Sequence, residues 1–163
     1  MTDNLINRER LEQFWDAYAT SVRLSDKEFA VLRFGDCTDL ADELAIQVVT
    51  GKKRATTSLL RDFVELGRRI PAPGDLSIVI DGKNSPRCII HILQVDIKAL
   101  GDVDESFAWD EGGGDRSLEW WRAAHARYFK RQGACEGFAV DDGIEVVLER
   151  FEVVWPLELS DRL

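Results

Sequence analysis

Histidine, cysteine, proline and methionine are scarce in this chain: two, three, four and one among 163 residues. Cys37, Cys88 and Cys135 are odd in number and form no C-x-x-C pair, and only His91 and His125 could join them, so the ligand spacing of a zinc site is missing and no metal is expected. Dispersed cysteines of this kind read as reduced thiols of a cytosolic protein. Also absent is any run approaching the roughly 18 apolar residues of a membrane-spanning helix. The opening MTDNLINRER has no apolar stretch of the secretory kind, so a cytoplasmic location without a membrane partner is expected. Positive charge is in deficit: 21 Lys and Arg against 30 Asp and Glu leave -9, which excludes the broad cationic surface of a protein that coats duplex DNA.

What is present describes a globular domain. A composition 45% hydrophobic and 31% charged suits a soluble fold, and chains of roughly 150 residues usually make one domain with a core of its own. Leu11, Phe14, Trp15, Tyr18 and Val22 recur at helical spacing and predict an aromatic-faced helix over about 7–22. Residues 28–34 read as a strand. Thr38 is the expected N-cap of a helix striped by Leu40, Ala41, Leu44, Ala45 and Val48 and ended by Gly51. A short helix is expected around Leu59–Leu66, strands over 76–80, 87–100 and 144–155, a hairpin loop at 81–85, and a helix capped by Ser117. Residues 102–116 read as an acidic, glycine-rich connection. The predicted class is α+β: a small mixed or antiparallel β-barrel flanked by helices, with an N-terminal helical extension.

Charge is segregated along the chain. Residues 51–69 hold six basic side chains against Asp62 and Glu65, whereas 102–119 hold seven acids against Arg116. Such a pattern suits a cationic nucleotide site facing an acidic element; it also suits two solvated faces that complement each other. Lys53 and Thr56 stand three apart, with Lys52 and Arg54 pressing Lys53 to lose its proton, as a threonine nucleophile requires of its activator. A solvated basic helix end is the plainer reading of the same residues. Glu111 precedes three glycines, which would let a backbone approach a ligand and free amides for an anion. Of the neighbouring tryptophans, Trp121 has the spacing of a core residue, while Trp109 and Trp120 are open to base stacking or packing.

The runs Gly51-Lys-Lys-Arg-Ala-Thr-Thr-Ser-Leu59, Pro73-Gly-Asp75, Asp81-Gly-Lys-Asn-Ser-Pro86 and Phe107-Ala-Trp-Asp-Glu-Gly-Gly-Gly-Asp-Arg-Ser-Leu-Glu-Trp-Trp-Arg122, with His125, resemble the ASCH domain family over roughly 30–155. The resemblance, to a longer bacterial branch, implies a PUA-like β-barrel, with 1–28 as the helical extension and 29–163 as the ASCH domain. It implies an RNA or modified-nucleoside ligand. One branch removes the acetyl group from N4-acetylcytidine without a cofactor, through a G-x-K-x-x-T motif and a glutamate. Those positions fall on Lys53, Thr56 and Glu111 here, with Thr56 as nucleophile, Lys53 as activator and Glu111 as general acid/base. Thr57 competes with Thr56 for that role. Lys52, Arg54, Thr57, Arg61, Trp109, Asp115, Arg116 and Arg122 are the expected substrate or RNA contacts. The alternatives are a non-catalytic single-stranded RNA-binding module and a ribonuclease using Mn²⁺ or Mg²⁺ on Asp110, Glu111 or Asp115. Where longer members often have E-G-E-G-D this chain has Gly113, which removes one acid from any such metal site.

Overall fold

The computed structural model describes residues 2–26 and 28–162, with side chains from residue 8 onward. Its class is α+β, as expected, with five α-helices and a mixed five-stranded sheet among the described residues. In chain order these are α1 (Thr2–Ser21), β1 (Ala30–Arg33), α2 (Thr38–Val49), β2 (Ala55–Leu59), α3 (Leu60–Glu65), β3 (Leu76–Ile80), β4 (Pro86–Ala99), α4 (Glu105–Glu111), α5 (Leu118–Glu136) and β5 (Glu145–Trp155). The strand order is β1-β3-β4-β5-β2; β1 runs parallel to β3, and β2 antiparallel to β5. The chain divides into two compact units, Met1–Gly51 with Gly74–Ile92 and Phe151–Leu163, and Lys52–Pro73 with Leu93–Arg150.

In the first unit the aromatic stripe of α1 is buried as its spacing predicts. Trp15, Tyr18 and Ala19 join Ile78, Ile80, Ile89 and Val154 in one core cluster, with Leu11, Phe14 and Phe29 packed against it. The Trp15 ring lies 5.6 Å from both Tyr18 and Phe29. Val22, the last residue of the predicted stripe, is exposed. Thr38 is not the N-cap of α2. Cys37 holds that position in extended conformation, its carbonyl accepting the Ala41 amide at 2.9 Å, so the helix starts with Thr38 already inside it. Asp42, on α2, accepts the Gly82 amide at 2.7 Å and ties the β3–β4 hairpin to α2.

The second unit carries two elements that sequence periodicity missed, β2 and α4, the latter within the acidic, glycine-rich segment 102–116. Seven residues are too few to show a helical stripe, but the stop signals are there. Asp104 accepts the Phe107 amide at 2.9 Å, and Gly112 closes the helix in the left-handed conformation. The helix exists because Phe107 and Ala108 join Ala55, Leu59, Trp121, Phe129, Val146 and Leu148 in the core. Helix α5 begins at its expected cap, with Ser117 Oγ accepting the Trp120 amide at 3.1 Å.

Replacing Trp15 by Ala should lower the unfolding free energy by about 3–5 kcal/mol, as expected for a large aromatic removed from a core, whereas Val22→Ala should stay within about 0.5 kcal/mol. Urea unfolding midpoints of the two variants check this; equal effects would show that the α1 stripe is not part of the core.

Candidate active site around Lys53

Strand β2 sets the parity of the site. Ala55 and Leu59 point into the core, so Thr57 between them shares that face, and Thr56 points to the opposite one. Across the β2–β5 pair, Thr57 lies opposite Leu148 and Thr56 opposite Glu149. Lys53, two residues before the strand, is 3% exposed, and its ammonium donates to the Ala55 carbonyl at 2.7 Å.

The backbone of 52–54 is clamped by α4 and the loop after it. The Arg54 amide donates to the Asp110 carbonyl at 2.7 Å, and Arg116 donates to the carbonyls of Trp109 and Lys52 at 2.9 and 3.2 Å. Gly112 lies so close that a Cβ there would stand 2.4 Å from the Lys52 oxygen, with φ at +84° besides. No side chain fits at this position, and the clamp delivers Lys53 to Glu111.

Glu111, 8% exposed, ends α4 with its carboxylate accepting from β2 and α5. Its Oε2 accepts the Thr57 hydroxyl at 2.7 Å and the Trp121 indole N–H at 2.6 Å. Its Oε1 lies 3.0 Å from His125 Nε2 and 3.9 Å from the Lys53 ammonium. Trp121 and His125 sit one turn apart on α5, their rings stacked at 4.1 Å. His125 Nδ1 lies 2.9 Å from the Trp121 carbonyl, so each ring nitrogen has an oxygen partner.

Burial by itself would raise the Glu111 pKa. The charges of Lys53 and His125 and the bonds from His125 and Trp121 outweigh it and bring the carboxyl down from 4.5 to about 2. Burial pulls Lys53 below the ordinary lysine value, against the opposing pull of Glu111 and Glu149. Glu111 is thus ionised throughout the neutral range, and Lys53 is a more easily deprotonated amine than a surface lysine.

Of the residues singled out in the sequence, the structure brings Lys53, Glu111 and Thr57 together; Thr56, on the other face of β2, lies beside Glu149. His125 and Glu149 were not among the predicted contacts. His125 had a signal in its four-residue spacing from Trp121. Glu149 had one as the acid among Val147, Phe151 and Val153 at alternate positions of β5, where it is 8% exposed. Trp121 is core, as its spacing predicts. Arg61 stands apart from Lys53 in its bonding. It pairs with Glu136 at 2.9 Å, covers the Phe138 ring at 3.7 Å, and lines a 460 Å³ cleft with Ser58, Phe63, Arg68 and Gln132. Arg122 donates to the Gly101 carbonyl, and Asp115 accepts the Ser117 amide; hydrogen bonds with the Ser117 side chain first and its backbone second lower the Asp115 pKa.

The triglycine run does not leave its backbone open to an anion: a Cβ on Gly113 or Gly114 would stand 2.5 or 2.2 Å from the Trp120 ring, so these residues seat an indole. The acids considered for a divalent ion are separately committed, Asp110 to Arg150 at 3.1 Å and Glu111 to the network above. No cluster of three or more His, Cys, Asp or Glu able to hold a metal occurs among the described residues. The residues present do not fit a carboxylate-held Mn²⁺ or Mg²⁺.

The Glu111 carboxyl binds fewer protons in the folded protein than in the unfolded chain, so its stabilisation is complete above the unfolded pKa and fades as pH falls from 4.5 toward 2. A shift of this size corresponds to a loss on the order of 3 kcal/mol. Denaturant unfolding between pH 6 and pH 2 should show that decline in the wild type and a flatter profile, from a lower starting stability, in Glu111→Gln. Identical slopes would show that Glu111 is not held as a buried anion.

No helix among the described residues is long and apolar enough to cross a membrane. The ASCH domain family model matches residues 30–155. The crystal structure of an ASCH domain from Lactobacillus crispatus is 32% identical, with 91% of this chain and 93% of that one covered at a TM-score of 0.80. A crystal structure from Enterococcus faecalis is also 32% identical, with 90% and 88% covered at a TM-score of 0.82. Curated proteins give no match. The chain belongs to the ASCH domain family, whose PUA-like fold is generally linked to RNA binding.

Proposed function

We propose that the protein hydrolyses the exocyclic amide of an N4-acylated cytidine, with Thr57 as nucleophile and the Glu111–Lys53 pair handling its proton. The observation that carries this reading is the hydrogen bond of 2.7 Å from the Thr57 hydroxyl to Glu111, itself oriented by Trp121 and His125. A nucleophile within reach of a base that a third group holds in place is the arrangement covalent catalysis requires.

The chemistry follows from the charges. Thr57 Oγ1 forms a bond to the acyl carbon while its proton enters the Glu111–Lys53 pair. Burial favours the neutral amine of Lys53 more than at a surface lysine, and it is in that neutral form that Lys53 takes up the proton, passed on by the Glu111 carboxylate that accepts the Thr57 hydroxyl. The carbon–nitrogen bond then breaks, the cytosine amine leaves with that proton, and the acyl-threonine is released by water, whose proton returns Thr57 to its hydroxyl form. No step uses a cofactor. The resemblance noted in the sequence puts Thr56 in the nucleophile's place; strand parity favours Thr57, because Thr56 faces away from Glu111.

Acetate release from N4-acetylcytidine, followed by chromatography with and without EDTA, tests this. Turnover should be insensitive to EDTA. It should fall at least about 10²-fold in Thr57→Ala and in Lys53→Ala, as expected for loss of a nucleophile or its proton acceptor, with Thr56→Ala much less affected. A larger loss in Thr56→Ala would move the nucleophile to the Glu149 face. Absence of acetate release from the wild type would overturn the reading, and metal-dependent cleavage of RNA would replace it with the ribonuclease alternative.

A further inference from the structure

Strand β1 ends the strand order and pairs only with β3 among the described residues, so alternate amides and carbonyls of Ala30–Arg33 face away from the sheet. Such an edge is normally blunted by proline, lysine or a bulge, or is covered. This one has no proline or lysine, its register with β3 is unbroken, and Ala30, Val31 and Arg33 are exposed. At β2, the other end of the order, the Ala55 carbonyl is already taken by the Lys53 ammonium. Beside β1, within the first unit, lies a groove of 670 Å³ shared with α1. Its apolar lining is Leu11, Phe29 and Val31, and its acidic lining is Glu12, Asp16 and Glu28. Arg8 is the one base there, and it is bound to Glu12 at 2.9 Å. The Asp16 and Glu28 carboxylates have no ion pair among the described residues. Phe29 packs on Trp15 of α1 at 5.6 Å, so both walls are set in the folded protein.

We propose that β1 and the α1 groove take up an extended segment of a partner protein, added to the sheet beside β1, with lysine or arginine at every second residue. Main-chain bonds to the open edge hold such a segment, and the side chains on one of its faces select it. Those side chains enter a groove whose lining is half apolar and half acidic. Lysine and arginine fit both halves: their methylene stems cover Leu11, Phe29 and Val31 while the charged ends reach Glu12, Asp16 and Glu28. A second copy of this chain fits poorly, because pairing β1 with itself would bring two sets of the same acids together in a protein of net charge -9. The same acids repel a phosphate chain. This surface is independent of the chemistry at Lys53.

The test is titration of the full chain with a fluorescein-labelled peptide of about eight residues, long enough to span β1, alternating arginine with threonine and followed by anisotropy. It should bind, more weakly as salt rises, and its counterpart alternating glutamate with threonine should not. The double variant Asp16→Lys, Glu28→Lys and the single variant Val31→Lys, which charges the edge itself, should each weaken binding at least about tenfold while unfolding at temperatures close to the wild type. Backbone N-methylation separates strand addition from attraction between charges. Methylating the arginine amides or the threonine amides blocks one edge of the peptide or the other, so one of the two peptides should lose at least about tenfold in affinity and the other little. Equal binding of both methylated peptides would overturn strand addition, and failure of the arginine peptide to bind would overturn the proposal as a whole. Equal binding of the glutamate peptide would remove the assigned partner chemistry. Self-association of the wild type in sedimentation that Val31→Lys abolishes would give the edge to a second copy instead.

Discussion

A single buried carboxylate holds the second unit's polar interior in place. Glu111 is reached by Thr57 from β2, by Trp121 and His125 from α5, and by Lys53 from the chain before β2. An ion taken out of water costs several kcal/mol unless its lone pairs are filled and a counter-charge stands close. Here those conditions are met from β2, from α5 and from the chain before β2. The requirement works in reverse on the elements themselves: β2, α4 and α5 must hold their relative positions, or the carboxylate is left short of a donor.

Backbone contact, rather than side-chain contact, provides that accuracy at the loop. Gly112 lies against the Lys52 carbonyl, and Arg116 hydrogen-bonds the same oxygen. A loop of this composition suggests an anion cradle, since small residues leave amides accessible. What it does is bring α4 and the segment before β2 closer than side chains allow, and give Trp120 a flat seat. Four of the seven acids of residues 102–119 are likewise absorbed: Asp104 caps α4, Asp110 pairs with Arg150, Asp115 holds the Ser117 amide, and Glu111 is interior.

Much of the fold was legible because its long elements repeat a simple period. The stripes of α1, α2 and α5, the Ser117 cap and the strands β3 to β5 follow from hydrophobic spacing and turn residues. Helix α4 was hidden because seven residues give no repeat and the surrounding charge suggested exposure. At the site, Lys53 and Glu111 were identifiable, and they lie 3.9 Å apart. The choice between Thr56 and Thr57 was not, because it depends on where β2 begins: one residue of parity decides which hydroxyl meets Glu111. Glu149 was missed for a related reason. Its partner is set by the antiparallel register, a long-range fact, although an acid among apolar residues at alternate positions already marked an unusual environment.

The balance of charge in this interior bears on what it can hold. Glu111 and Glu149 are two buried acids; Lys53 is a buried base between their influences, and each ring nitrogen of His125 has an oxygen partner. A cluster so matched has little capacity for a further buried anion, because a phosphate brought against two carboxylates meets repulsion that one lysine and one imidazole are already engaged in cancelling. A neutral, hydrogen-bonding group such as an amide carries no such penalty. On the proposed reading the acylated base is the part of the ligand that meets this interior, through its amide.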